Sequence, residues 1–432
     1  MSKVSSALKK FIAIPLTYKV FVGFALGISV GVAFRNFTSE FLFLHINVVE
    51  FKLLGTIFIN LIRMIVAPMM FTSIISAILS VGDVGKTGSL AVKSIVTFLI
   101  MTAISVVVGI VAANAIQPGS HVKFDKHDFI ANAPVDIINS PHSKATTVSS
   151  FIMSAVPSNI FESFYTNNFL QIIFFATLFA ISIISVGERA KSVINSVNVL
   201  AEVMMDITGA IMHFAPFGIF GLTSWLIGTQ NLELIKSLGM LVATLYAGCF
   251  FVTFILYPLF AAIFLRINPI HFMKKMLPAQ FFGYVLASSS AALPMSLKIA
   301  HDKLGVSKEK TNFVIPLGAT INMNGGAIHL ATCTLFIAQL WNVEFGISQY
   351  VTLVTLCVFG AIGTAPIPGV ATFLLTGILA SMGLPMEAVG IILAVDRLLD
   401  MVRTLTNVTG DVFSAVIIDK LDKTMDVKKY AS

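Results

Sequence analysis

The chain has 432 residues, 56% hydrophobic and only 11% charged, with 37 phenylalanines and a net charge of +7. Soluble globular chains carry about 25% charged residues, so a mean hydropathy of +0.91 excludes a water-soluble fold and reads as an integral membrane protein. The basic excess sits in short loops between apolar runs, which is the positive-inside pattern rather than a nucleic-acid footprint. Cys249, Cys333 and Cys357 all lie in apolar runs and are placed for neither a disulfide framework nor a metal site.

In chain order, MSKVSSALKKFIAIPLTYKVF leads into a full-length span rather than a small-residue cleavage site, so no cleavable signal is read. The first apolar run, about 15–35, is long enough to cross a bilayer. It carries Gly23, Gly27 and Gly31 four residues apart, a close-packing face. The second, about 50–81, includes Arg63 and must tilt or project beyond the bilayer. The third, about 90–115, ends at Gln117-Pro118-Gly119 and opens into a charge-balanced polar segment, 118–147, assigned to the outside. An interrupted apolar region follows Val156-Pro157 and ends at Glu188, Arg189 and Lys191. A long helix, about 195–227, carries Glu202 and Asp206, read as interhelical contacts, and breaks at FAPFGIFG. The sixth run, about 234–266, closes on Arg266, His271, Lys274 and Lys275. Basic clusters at the amino terminus, near 86, near 190, at 270–275 and in the tail place both termini in the cytoplasm.

Past residue 275 the pattern changes. Residues 277–300 are apolar but interrupted by Ser288-Ser289-Ser290 and Pro294, and both flanks are basic. A single crossing would separate those flanks, so a hairpin entering and leaving on the cytoplasmic side is expected. Residues 351–382 mirror it, broken by Gly363-Thr364-Ala365-Pro366-Ile367-Pro368-Gly369, where two prolines stop a helix. Between them lies a span over 312–342 whose middle, GATINMNGG, has two amides and three glycines suited to local unwinding. Bare backbone at such depth is tolerated only against a cavity or inside protein. Discontinuous helices in matching places are the best sequence pointer to a transporter's binding site, because half-helix amino ends attract carboxylates and free carbonyls attract cations.

The last apolar run holds Asp396, Arg397, Asp400, Arg403, Asn407 and Asp411. The steps from 396 to 400, 403, 407 and 411 put these five side chains within about 80° of one helix face, with Thr404 at the edge. Each charge costs about 2.5–3.5 kcal/mol at a bilayer centre, so the stripe faces protein, water or a ligand. A solvated amphipathic face and a purely structural ion-pair lattice are the blander readings; a site inside a bundle fits the greasy opposite face better. Arg403 suits a carboxylate in a bidentate fork, Asp400 suits an ammonium, and Asn407 both donates and accepts. Asp411 with Asn322, Asn407 and nearby carbonyls is an all-oxygen set for a small hard cation. Asp396 and Arg397 read as structural, and His329 as a packed core histidine.

The stretches LGTIFINLIRMIVAPMMF, SSSAALP, PLGATINMNG, IGTAPIPG and DRLLDMVRTLTNVTGD, in this order, resemble the dicarboxylate/amino acid:cation symporters, which include glutamate and aspartate transporters. The resemblance covers nearly the whole chain. It implies an all-α membrane fold of eight transmembrane helices plus two re-entrant hairpins, assembled as a homotrimer in the plasma membrane, and no enzyme. Scaffold segments are expected at 1–75 and 148–232, and transport segments at 76–117, 233–268 and 269–432. The last would hold hairpin 1 (about 277–302), helix 7 (about 311–342), hairpin 2 (about 350–383) and helix 8 (about 386–419). The transport part would slide as an elevator, with the second hairpin as outer gate.

The same resemblance implies that Asp400 holds the substrate ammonium and Arg403 its side-chain carboxylate. Asn407, Ser289 and the backbone at Ile367, with Thr404 nearby, would take the main-chain carboxylate. One sodium site would use Asn407, Asp411 and carbonyls of Gly318 and Asn322; a second would use Thr320 with carbonyls of Ala361, Ile362 and Thr364. Sodium or protons are the expected coupling ions, and no cofactor is expected. The sequence departs from the sodium-coupled pattern NMDGT, reading Asn322-Met323-Asn324-Gly325-Gly326, and has Phe98, Met101 and Thr102 where a third sodium site takes Tyr, Thr and Ser. Ala287 stands where some relatives carry Arg, a charge that Arg397 is placed to supply. The competing readings are a C4-dicarboxylate carrier, a passive channel, and an intramembrane aspartyl hydrolase pairing Asp206 with Asp400 or Asp411.

Overall fold

The computed structural model describes residues 16–36, 48–82, 88–120, 156–166, 168–229, 232–362 and 370–431. Most of the polar segment, the basic amino terminus, Lys86 and the tip of the second hairpin lie outside them. The described elements are all helical. Helices α1 (Leu16–Asn36), α2 (Val48–Gly82) and α3 (Gly88–Ile116) are followed by the short α4 (Ile160–Tyr165) and α5 (Phe169–Val186). Helix α6 (Lys191–Met212) continues α5 after a single 3-10 turn at Gly187–Ala190, so the basic loop expected near 190 is only that turn. Helix α7 (Ala215–Thr229) begins at the expected break.

Helix α8 (Leu232–Phe251) passes through a π-helical turn, Val252–Leu256, into α9 (Tyr257–Ile263). Three helical stretches among the described residues are long and apolar enough to cross a bilayer by themselves: Ser89–Ile116, Gln171–Met212 and Glu233–Ile263. The outer face of α3, with Val92, Val96, Ile100, Val107 and Val111 exposed, is the apolar surface a bilayer would cover.

The first hairpin is α10 (Pro269–Leu286) packed antiparallel on α11 (Ser289–Lys298). Its first arm starts eight residues before the expected 277, because Asn268 caps the helix by accepting from the Ile270 amide, and Pro269 occupies the first turn. At its tip Ala287 takes a left-handed backbone (φ 49°), and the Ser288 hydroxyl accepts from the Ala291 amide to cap α11. The Lys275 ammonium donates to carbonyls of Lys303 at 3.0 Å, Lys429 at 3.1 Å and Tyr430 at 2.8 Å. Both ends of this hairpin and the carboxyl-terminal helix α18 (Val427–Ala431) therefore meet one another.

The next span is cut into α12 (Lys308–Ile321) and α13 (Asn324–Leu340) at Asn322-Met323. Helices α14 (Ile347–Ile362) and α15 (Val370–Ser381) are the arms of the second hairpin. The charged segment is not one helix. After α16 (Val389–Leu393) the chain breaks at Ala394-Val395, and α17 (Asp396–Leu421) starts on the first acid of the stripe. Every residue of α17 from 402 to 419 is buried, so its greasy side faces other helices rather than lipid.

Two packing groups result. Helices α1, α5, α6 and α7 pack around α2 and on one another, whereas α3, α8 and α10 to α13 surround α17, with α14 and α15 packed on α13. In the first group α1 and α7 touch backbone to backbone. A Cβ on Gly23 would sit 2.4 Å from the Pro216 carbonyl oxygen, and those on Gly27 and Gly31 would each lie 2.8 Å from a side chain of α7. Glu202 and Asp206 are exposed on α6 rather than buried between helices. We expect Gly23→Ala to cost about 1–3 kcal/mol through forced displacement of Pro216, read as a lower thermal midpoint in detergent. Gly239→Ala, where a Cβ meets nothing within 4 Å, leaves that midpoint unchanged.

Candidate functional site

The stripe on α17 becomes a buried ion cluster. Arg403, only 2% exposed, places Nη2 at 2.7 Å from Asp400 Oδ1 and 3.2 Å from Asp396 Oδ1. Its Nη1 donates to Thr372 Oγ1 at 3.3 Å, and that hydroxyl donates in a short bond to Asp396. Arg397 lies on the outer side, 3.9 Å from Asp400 Oδ2. Two cations and two anions thus sum to zero formal charge. Burying them is costly unless each is paired and hydrogen-bonded; Arg403, Asp400 and Asp396 meet that condition, whereas Arg397 has its ion pair but its buried Nε makes no hydrogen bond.

The breaks in the neighbouring elements exist to reach this cluster. A Cβ on Gly325 would fall 2.3 Å from the Arg403 carbonyl oxygen, so the amino end of α13 lies directly on α17. Asn407 Oδ1 accepts from the Gly325 amide at 2.7 Å, and its Nδ2 contacts Met323 Sδ at 3.2 Å. From the first hairpin, Gly283 packs on Thr404 and Val408, and Gln280 donates to Thr409 at 3.2 Å. Ser289 is buried at the first turn of α11. From the second hairpin comes Thr372, two residues into α15. Tyr246 of α8 donates to the Leu398 carbonyl at 3.0 Å, and Thr253 of the π turn donates to Thr406 at 3.1 Å. Asp400, Arg403, Thr404 and Asn407 are thereby gathered in one buried region with both hairpins against it, while Ile367 lies outside the described residues.

One turn deeper, Asn322 Nδ2 donates to Asp411 Oδ1 at 3.0 Å, and a Cβ on Gly318 would lie 2.9 Å from the same oxygen. Asn322 Oδ1 is buried without a hydrogen-bond partner, and among the described residues no cationic side chain pairs with Asp411. A buried carboxylate beside an orphaned amide oxygen fits a small hard cation. The second expected cation set falls partly outside the described residues. Thr320 is exposed, with its hydroxyl turned back to the Leu317 carbonyl at 2.8 Å. Ala361 and Ile362 end α14, and Thr364 lies outside the described residues.

Asn324 fills the place of the missing acid with an internal bridge. Thr102 donates to its Oδ1 at 2.9 Å, and its Nδ2 donates to the Tyr257 hydroxyl at 2.7 Å. Phe98 and Met101 are buried on the same helix as Thr102. Asp206, exposed on α6, is no partner for the buried Asp400 or Asp411, which removes the aspartyl-dyad reading. Tyr257 and Thr372 were not singled out by sequence reasoning: each is an ordinary residue of an apolar run, brought in by a π turn and by hairpin packing.

The profile of the Sodium:dicarboxylate symporter family matches residues 16–421. The chain belongs to this family. Among its relatives is a proton/sodium-glutamate symport protein of Bacillus caldotenax, 36% identical over 412 residues and covering 94% of each chain. A proton/glutamate-aspartate symporter of Bacillus subtilis (strain 168) is 28% identical over 425 residues, covering 98% of each. A C4-dicarboxylate transport protein of the same organism is 28% identical over 417 residues, covering 96% of this chain and 95% of its own.

For this symporter-family site we expect Asn407→Ala to leave the buried Gly325 amide without an acceptor, at a cost of about 1–3 kcal/mol. Hydrogen–deuterium exchange in the peptide spanning 322–330 should accelerate. Unchanged exchange there contradicts the placement of Asn407 as the support of the helix break.

Proposed function

We propose that this protein is a secondary active symporter for acidic amino acids, coupled to protons or sodium. The observation that carries this reading is the buried Arg403–Asp400 pair at the meeting point of both hairpins and the broken helix. A ligand with two carboxylates and one ammonium can exchange partners with that pair. Its side-chain carboxylate takes the Arg403 fork, and its ammonium takes Asp400, so each buried charge trades one partner for another. Asn407, Ser289, Thr404 and the backbone at Ile367 receive the main-chain carboxylate. Asp411, Asn322, Asn407 and the Gly318 carbonyl hold a coupling cation, whose positive charge would offset the Asp411 carboxylate. The set of Thr320, Ala361, Ile362 and Thr364 would hold a second.

The two packing groups support an elevator. Helices α1, α2, α5, α6 and α7 form the scaffold, and the group around α17 carries the substrate as a unit. Exposed apolar residues on α5 and α6, among them Leu178, Ile181, Val199 and Leu200, suit subunit contacts in a homotrimer. The gathering of Lys275, Lys303 and the carboxyl terminus, with basic loops, supports a cytoplasmic location for both termini in the plasma membrane.

A C4-dicarboxylate:cation symporter is the second reading, favoured by the relative of that name; Asp400, idle with such a substrate, favours the amino acid. Counterflow in proteoliposomes with glutamate, aspartate and succinate separates the two. Arg403→Ala should lower uptake of acidic amino acids by about 100-fold, the cost of stripping one partner from a buried charge pair, while uptake of neutral amino acids persists. Unchanged affinity for glutamate and aspartate in that variant contradicts the role of Arg403.

The Thr102–Asn324–Tyr257 bridge supports a coupling stoichiometry below three sodium ions. Uptake of labelled aspartate under an imposed sodium gradient, and then under a pH gradient alone, measures it. A strict three-sodium requirement overturns this part of the reading.

A further inference from the structure

Behind the Arg403 pair runs a chain of buried groups that substrate binding does not use. His329 on α13 is fully buried. Its Nε2 lies 3.1 Å from Thr372 Oγ1, and its Nδ1 lies 3.3 Å from Cys333 Sγ. The hydrogen positions follow by elimination. The Thr372 hydroxyl has a single proton, which goes to the Asp396 carboxylate, and the same oxygen accepts from Arg403, which can only donate. His329 Nε2 must therefore donate to Thr372, leaving Nδ1 as the basic nitrogen, facing the Cys333 thiol.

The surroundings hold few other charges. Helix α17 presents Asp396 and Arg403, with Asp400 and Arg397 beyond them. Cys333, Cys357 of α14 and Cys249 of α8 are buried thiols. Helix α15 brings only hydroxyl and apolar groups among its described residues. Lys93, the one charged residue of α3, is held by Asp422 at 2.6 Å, at the end of α17 remote from Asp396.

The four charges of the cluster sum to zero, whereas an acidic amino acid brings a net charge of minus one. Once a substrate carboxylate takes the Arg403 fork, Asp396 is a buried carboxylate deprived of its guanidinium, which is costly in a low-dielectric interior. We propose that the His329–Thr372–Asp396 chain takes up one proton for each acidic substrate bound and is the proton-coupling device of the carrier. This deepens, and rests on, the acidic-substrate reading of the same site. The proton balance is simple. A proton gained at His329 Nδ1 makes an imidazolium; the Nε2 hydrogen passes to Thr372 Oγ1 as the hydroxyl hydrogen passes to Asp396. The result is a neutral imidazole and a carboxylic acid, with one proton taken from water and returned when the substrate leaves.

The test uses the full-length protein in sodium-free proteoliposomes loaded with a pH-sensitive dye, with labelled glutamate or aspartate outside. The readout is protons moved per substrate molecule transported, with homo-exchange measured in parallel. Wild type should acidify the lumen as substrate enters. In His329→Gln and in Thr372→Val the ratio of protons to substrate should fall at least roughly tenfold, and in Thr372→Ser, which restores the hydroxyl, it should return. The affinity for substrate in wild type should rise as pH falls, and this dependence should vanish in His329→Gln. Two variants at different positions guard against one of them failing to fold. A wild-type ratio in both His329→Gln and Thr372→Val overturns the proposal and moves the proton elsewhere, Asp411 being a buried acid that no cationic side chain pairs with among the described residues. Wild-type transport without proton movement also overturns it while the substrate reading stands. Absence of any exchange of acidic amino acids by wild type defeats the substrate reading instead.

Discussion

A guanidinium shared between two carboxylates, out of reach of water, is the constraint to which the rest of this molecule answers. Arg403 bridges Asp396 and Asp400 in a region where unpaired charge is not tolerable. Holding that bridge requires close walls, and close walls require backbone rather than bulky side chains. The Gly325 approach to the Arg403 carbonyl and the Gly283 approach to Thr404 supply them. Helix α17 is consequently packed chiefly against α3, α8 and α10 to α13 and buried along most of its length, a central rod rather than a lipid-facing span.

The interruptions in the chain follow from the same requirement. A continuous helix buries its backbone polar groups in its own ladder and offers nothing to a ligand. The break at Asn322-Met323 places the Asn322 side-chain amide on Asp411 and the Gly325 backbone amide on Asn407. The π turn at Val252–Leu256 advances Tyr257 to Asn324, in keeping with the frequent use of such turns at functional sites. Where a carboxylate is replaced by Asn324, both ends of the amide are consumed by Thr102 and Tyr257. Such a bridge satisfies both ends of the amide from within the protein.

Much of this was legible before any coordinates. Charges spaced four, three, four and four apart define a helical face whatever surrounds it, so the ridge on α17 was visible from periodicity. Basic flanks on both sides of a serine-interrupted run pointed to a re-entrant hairpin, and Lys275 does tie its two ends together. What could not be read were relations across elements. The start of the first hairpin at Pro269 depended on a cap, and the break at Ala394-Val395 has no proline or glycine to announce it. His329 was read as a packed core residue; it is buried, but its partners lie four residues away on its own helix and on α15, with Asp396 one hydroxyl further. No local pattern marks a contact between positions 329 and 372.

The central claim is that Arg403 changes partners when the guest arrives. A cryo-electron microscopy structure of the protein saturated with aspartate tests this directly. The account predicts the guanidinium within hydrogen-bond distance of a ligand carboxylate, the ligand ammonium on Asp400, and Asp396 no longer in contact with Arg403. A ligand bound elsewhere, with Arg403 still clasped by both aspartates, would contradict it.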